Sequence, residues 1–142
     1  MVKLGIHNKK SFKNYSTLFE AIKDQVEEFK LTSIQIFTHG PRNRKKNKIN
    51  YKNIINYCQE NNISVYVHGT YSSNAIWNVN KQNKNDTKSK IIINHIIDSL
   101  KSSQELNSQG LVIHLSKKTP ETILESLEIL ESLIKKENIN VP

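Results

Sequence analysis

The chain has 142 residues and carries 21 Lys plus Arg against 13 Asp plus Glu, a formal net charge of +8 at pH 7. We expect residues 1–142 to form one domain, because this length is typical of one. A single cysteine excludes an internal disulfide framework, and no apolar run approaches the roughly 18 residues of a transmembrane helix. The start also lacks an apolar leader, so we expect a soluble intracellular protein, and the positive charge favours polyanionic partners, nucleic acid first.

Short apolar runs alternate with amphipathic segments along the chain. The predicted order is strand 2–7, helix 16–30, strand 33–38, helix 51–60, strand 64–68, helix 89–106, strand 110–115 and a helix with Thr119 as N-cap. Strands that alternate with helices predict an α/β fold, a parallel sheet of four strands with four helices. The strands are nearly continuous apolar runs, which is typical of parallel strands covered on both faces. Two architectures fit, a doubly wound sheet or half of a (β/α)8 barrel, which takes about 250 residues when complete.

Histidines follow the strands of this predicted sheet. His7, His39, His68 and His114 lie at or just past the four strand ends, whereas His95 lies within a helix among isoleucines and is interpreted as structural. Ligands of parallel α/β folds bind at the carboxyl ends of the strands, and neutral imidazole is a common zinc ligand. His68 and His114, which end their apolar runs most closely, are the strongest candidates. No Asp or Glu follows a strand closely, so the ligand set is incomplete.

Basic and aromatic residues also follow the strands. Residues 42–48 contain two arginines and three lysines after the second strand, and Lys81, Lys84, Lys88 and Lys90 come after the third. Lys and Arg contact phosphates without sequence preference, and Tyr71 and Trp77 are placed to stack on bases or fill a gap in a duplex. The alternative interpretation is a solvated loop with two anchoring aromatic side chains.

Four stretches of the chain resemble one enzyme family. In order, these stretches are Gly5-Ile6-His7, Gln35-Ile36-Phe37-Thr38-His39-Gly40-Pro41-Arg42, Val67-His68-Gly69-Thr70-Tyr71 and Gly110-Leu111-Val112-Ile113-His114-Leu115. They resemble the N-terminal half of the endonuclease IV family of apurinic/apyrimidinic endonucleases, especially the form found in large DNA viruses. The resemblance implies half of a (β/α)8 barrel, and it adds the virion to the expected locations.

The same resemblance implies roles for five residues. The family binds three zinc ions and cleaves the phosphodiester on the 5′ side of an abasic site in duplex DNA. His68 and His114 match zinc ligands of the family. Tyr71 matches a tyrosine that enters the DNA near the lesion, Arg42 matches an arginine inserted into the base stack, and His7 matches the histidine near the N-terminus.

The chain departs from the family because the other zinc ligands belong to later strands. It ends about where a fifth strand would begin, which indicates a truncated gene, a split gene or a fragment. We therefore expect this chain alone to bind zinc weakly and to cleave abasic-site DNA negligibly. Three alternatives stay open: a non-catalytic DNA-binding remnant, another metal-dependent barrel such as a sugar isomerase, and self-association of two copies through the open sheet edges.

Overall fold

A computed structural model of the chain describes residues 5–7, 15–40 and 45–141. The elements are β1 (Gly5–His7), α1 (Leu18–Phe29), β2 (Ser33–Ile36), α2 (Tyr51–Glu60), β3 (Ser64–His68), a 3₁₀ helix (Ser73–Asn78), α3 (Thr87–Glu105), β4 (Leu111–Val112) and α4 (Pro120–Lys136). The strands form one parallel sheet in the order β1-β2-β3-β4. A doubly wound sheet reverses its strand order at a switch point, so this sequential order favours the half-barrel architecture. The predicted α/β fold with four strands and four helices is confirmed.

The two faces of the sheet differ in burial. Alternate side chains of β2 and β3, Ile34 and Ile36 with Val65 and Val67, are at most 5% exposed and pack in one cluster with residues of α1 and α2. On the opposite face Gln35 is half-buried and Tyr66 is 37% exposed. The described residues therefore cover one face, and the predicted coverage of both faces is wrong for this part of the chain. In a complete barrel this second face points into the barrel interior.

A second apolar cluster lies beyond the sheet. It joins the 3₁₀ helix to α3 and α4, and its buried members are Ile76, Trp77, Val79, Ile92, Ile96, Ile97, Leu100, Ile129, Leu130 and Ile139. Since this cluster anchors the segment that follows β3, it fixes the backbone beside the carboxyl ends of β3 and β4.

Local sequence explains where the helices begin. Thr17 caps α1 by accepting a hydrogen bond from the Glu20 backbone N–H at 3.1 Å, and the Glu20 carboxylate accepts from the Thr17 N–H at 3.2 Å. This reciprocal pair is a capping box. Thr119 caps α4 and Pro120 occupies its first turn, as the sequence predicts.

The four helices end in the same way. Each is followed by a residue with left-handed backbone, Lys30, Asn62, Asn107 or Asn138, with φ between 51° and 59°. The next residue then donates its N–H to the carbonyl five positions earlier, as Leu31 does to Val26 at 3.2 Å and Ile63 does to Cys58 at 2.8 Å. This is the Schellman motif, in which glycine and asparagine are preferred. The helix ends are thus closed by asparagine in three cases and by lysine in one.

Lys30 is a site where substitution is expected to stabilise the protein. Its φ of 52° is unfavourable for a side chain with a Cβ atom, and glycine removes that strain. We expect Lys30→Gly to raise the free energy of unfolding by about 0.5–1 kcal/mol in urea titration. The matched control, Lys23→Gly inside α1, should lower it by about 1 kcal/mol. A loss of stability in Lys30→Gly would contradict the assigned conformation.

The strands are shorter than predicted. β2 ends at Ile36 rather than at residue 38, and β4 contains only Leu111–Val112 of the predicted 110–115. Residues 2–4 of the predicted first strand lie outside the described residues. No helix in the described ranges is long and apolar enough to cross a membrane.

Candidate metal and DNA-binding site

Two of the strand-end histidines lie against each other. The Nε2 atoms of His68 and His114 are 3.0 Å apart, and the ring centroids are separated by 5.0 Å. The Nδ1 atom of His68 lies 2.6 Å from the carbonyl oxygen of Gly69. A carbonyl only accepts, so this contact belongs to the His68 tautomer that carries its proton on Nδ1 and presents Nε2 as the acceptor. The His114 Nε2–H is therefore the donor between the two rings.

Strand register and one glycine bring the pair together. His68 is in register with Val112, and His114 follows Val112 by two residues, so both histidines lie beside the same two strand ends. Gly69 donates its N–H to the Val112 carbonyl at 2.8 Å. A Cβ atom on Gly69 would lie 2.7 Å from the Ile113 side chain, so glycine is what allows this close approach.

The separation of the two Nε2 atoms is close to that of two ligands of one zinc ion. Zinc–nitrogen bonds of about 2.0–2.1 Å at a tetrahedral angle place two ligand nitrogens roughly 3.3–3.4 Å apart. The observed 3.0 Å needs a shift of only a few tenths of an ångström. The bond from His68 Nδ1 to a carbonyl is also the outer contact that zinc-binding histidines usually make. Within the described ranges no group of three or more His, Cys, Asp or Glu residues is arranged to hold a metal ion.

His39 and His95 do not join this pair in the described structure. His39 lies 8% exposed beyond β2, with Nδ1 3.1 Å from the Thr38 hydroxyl. It lines a small cavity with Thr70, His95 and Asp98. Burial lowers the pKa of His39, and the Asp98 carboxylate acts in the opposite direction. His7 pairs through its backbone with Gln35, but its side chain lies outside the described residues.

The cysteine Cys58 is part of the core. It is 3% exposed among the apolar side chains between the sheet and α2. Burial raises the pKa of its thiol to about 11, which disfavours the thiolate that metal binding and nucleophilic chemistry require. Cys58 therefore has a packing role.

The structure separates the two aromatic residues that the sequence placed at the DNA surface. Tyr71 is 54% exposed in the turn after His68, where the buried Thr70 hydroxyl bonds the hydroxyls of Ser72 and Ser73 at 2.8 and 3.0 Å. Trp77 is only 3% exposed, and its indole N–H donates to the His114 carbonyl at 2.7 Å. The prediction that Trp77 stacks on bases is wrong, because a buried indole cannot reach them. Arg42 lies outside the described residues.

Positive charge is concentrated in the stretches that follow the strands. We define the described parts of these stretches, residues 15–17, 37–40, 45–50, 69–86 and 113–119, as the rim segments. They contain seven lysines against one acid, Asp86, a net charge of +6. Lys88 belongs to α3, which begins at Thr87, two residues earlier than predicted, and Lys90 lies in the same helix. The excess charge is therefore located at the end of the sheet that carries His68 and His114.

Two rim lysines are engaged by acids of neighbouring helices. Lys46 Nζ lies 2.8 Å from Glu105, and Lys81 Nζ lies 3.0 Å from Glu128. Both pairs are about half exposed, so they orient these segments more than they stabilise the fold. Lys48, Lys84, Lys117 and Lys118 are exposed on the same segments.

Comparison with known proteins identifies the fold. The African swine fever virus AP endonuclease, in the crystal structure of AsfvAP:AG, matches with a TM-score of 0.64 at 21% identity, over 89% of this chain and 42% of that one. A D-tagatose 3-epimerase-like protein matches with a TM-score of 0.60 at 15% identity, over 99% of this chain and 51% of that one. No family model and no curated protein matches the sequence.

These two likenesses agree on the architecture. The second protein has a (β/α)8-type barrel, and this chain has the fold of half such a barrel. It spans about half the length of the solved structures that it matches. At these identities the likeness establishes the fold alone.

Proposed function

We propose that this chain is the N-terminal half of a zinc-dependent abasic-site DNA endonuclease. His68 and His114 are two ligands of its metal centre, and the rim segments bind the DNA backbone. The observation that carries the proposal is the 3.0 Å approach of two strand-end Nε2 atoms at the end of the sheet where the described rim segments have a net charge of +6. The fold likeness to a viral AP endonuclease supports the same assignment.

The residues of this chain have separate tasks in the proposal. Zinc, when bound, supplies a Lewis acid that stabilises charge on a phosphate oxygen. His68 and His114 hold it from one side, and the remaining ligands come from outside this set of residues. Exposed lysines of the rim segments hold the flanking phosphates, and Tyr71 contacts the duplex where a base is missing. Arg42 and His7 keep the DNA contacts that the family resemblance implies.

A binding assay tests the abasic-site assignment. We expect the chain to bind a duplex with one tetrahydrofuran abasic analogue more tightly than the same duplex without it, as measured by fluorescence anisotropy. An aromatic–base contact contributes about 1–3 kcal/mol, so Tyr71→Ala should reduce this preference roughly 5- to 100-fold. Tyr66→Ala is the matched control, because Tyr66 lies on the open face of β3 rather than in a rim segment. Equal affinity of the wild type for both duplexes would contradict the assignment.

A second candidate function is DNA binding without catalysis. The observation that favours it is the absence, within the described ranges, of a third ligand beside the pair. The effect of zinc on DNA binding distinguishes the two candidate functions. If the chain is half of an endonuclease, zinc should strengthen binding of the abasic duplex by the wild type and not by His114→Ala. Equal binding with and without zinc would favour the non-catalytic function.

A further inference from the structure

The backbone at His114 lies beyond the end of the sheet. β4 ends at Val112, whose carbonyl accepts the last bond from β3, the 2.8 Å bond from the Gly69 N–H. The peptide groups on either side of the His114 Cα are therefore outside the strand pairing. Their orientation determines where the His114 imidazole lies.

Two side chains of the 3₁₀ helix bond these peptide groups. The Asn74 amide oxygen accepts from the His114 N–H at 2.9 Å, and the Trp77 indole N–H donates to the His114 carbonyl at 2.7 Å. Residues three apart in a 3₁₀ helix lie on the same side of it, which is why Asn74 and Trp77 reach one residue from both ends. His114 is thus held at its N–H and at its C=O.

The 3₁₀ helix is itself firmly anchored. Trp77 is 3% exposed in the cluster formed with α3 and α4, and the buried Ser126 of α4 donates to the Val79 carbonyl at 2.8 Å. The helix begins at Ser73, five residues after His68. The segment from residue 68 to residue 78 therefore begins at His68 and fixes His114 through the side chains of its 3₁₀ helix. The separation of the two imidazoles depends on this segment.

We propose that Asn74 and Trp77 are positioning residues that set the distance between His68 Nε2 and His114 Nε2 for metal binding. The inference rests on the proposed function in one respect, that the group bound by the two histidines is a metal ion. Removal of a hydrogen bond that orients a metal ligand without touching the metal typically lowers metal affinity about 10- to 100-fold. The bond from Trp77 to the His114 carbonyl also explains why this tryptophan is buried although it lies in a rim segment.

Zinc titration of the 142-residue chain tests this inference. Trp77→Phe keeps an aromatic ring in the core but removes the indole N–H, and Asn74→Leu removes the accepting oxygen. We expect each variant to weaken zinc binding about tenfold in calorimetry. In both, the zinc-induced shifts of the His68 and His114 Nε2 resonances in ¹⁵N NMR should be smaller at equal zinc. Ser126→Ala is the matched control, because it removes a buried bond of the same segment without contacting His114.

The outcomes separate positioning from general stability. Ser126→Ala should lower the free energy of unfolding and leave zinc affinity unchanged, which shows that weaker anchoring alone does not move the readout. Wild-type zinc affinity and Nε2 shifts in both Trp77→Phe and Asn74→Leu would overturn the inference and leave the metal pair intact. If zinc moves neither Nε2 resonance in the wild type, the inference and the proposed metal pair are both overturned.

Discussion

Replacement of Lys48, Lys117 and Lys118 by glutamate is expected to weaken binding of duplex DNA by roughly 100- to 1000-fold at about 100 mM salt. These lysines are exposed on two rim segments, and both segments follow strand ends. Each phosphate contact releases about 0.9 of a counterion, so the slope of log K against log salt should become shallower by about three. Anisotropy titrations between 50 and 200 mM salt measure both quantities.

The control for this prediction has the same change of charge. Lys23, Lys30 and Lys135 are exposed in or next to α1 and α4, outside the rim segments. Their replacement by glutamate alters the net charge equally but should change DNA affinity much less and leave the salt slope near that of the wild type. If both triple variants lose affinity equally, DNA is held by total charge, and the rim segments have no special role.

Replacement of either His68 or His114 by alanine is expected to lower zinc affinity on the order of 100-fold, because each removes one of two converging ligands. The double variant should not lose a second factor of this size relative to either single variant, because the two nitrogens hold one ion together. Competition with a chromophoric chelator measures the affinities.

His39 offers a matched control for the histidine pair. It also follows a strand end, but it packs beside Thr38 and Asp98 rather than beside His68. His39→Asn should therefore retain the wild-type zinc affinity. Loss of zinc binding in His39→Asn with retention in His114→Ala would place the metal at the other histidine and contradict the proposed pair.

The sequence predicts much of the fold because local rules and tertiary structure agree. The alternation of apolar runs with amphipathic segments specifies the order of strands and helices, and α2 has the predicted bounds, Tyr51–Glu60. Thr119 with Pro120 and the left-handed Asn62 mark helix ends through their own chemistry. His68 and His114 lie close together because β3 and β4 are adjacent parallel strands that end in register, His68 opposite Val112.

Tertiary contacts decide the features that the sequence missed. Residues 113–115 continue the apolar pattern of a strand, yet the backbone of His114 bonds the side chains of Asn74 and Trp77. Trp77 lies in a segment that is polar overall, but Ile76 and Val79 beside it are apolar and fully buried. That local apolar group was the available signal that the tryptophan packs in the core rather than against DNA.

We propose that His68 and His114 are two ligands of a metal centre on a DNA-binding surface. Anomalous diffraction at the zinc absorption edge, from crystals of the chain grown with zinc, tests it most directly. The proposal predicts an anomalous peak about 2.0–2.1 Å from the Nε2 atoms of both His68 and His114. Zinc bound at His39 or elsewhere, with the two Nε2 atoms of this pair still hydrogen-bonded to each other, would contradict it.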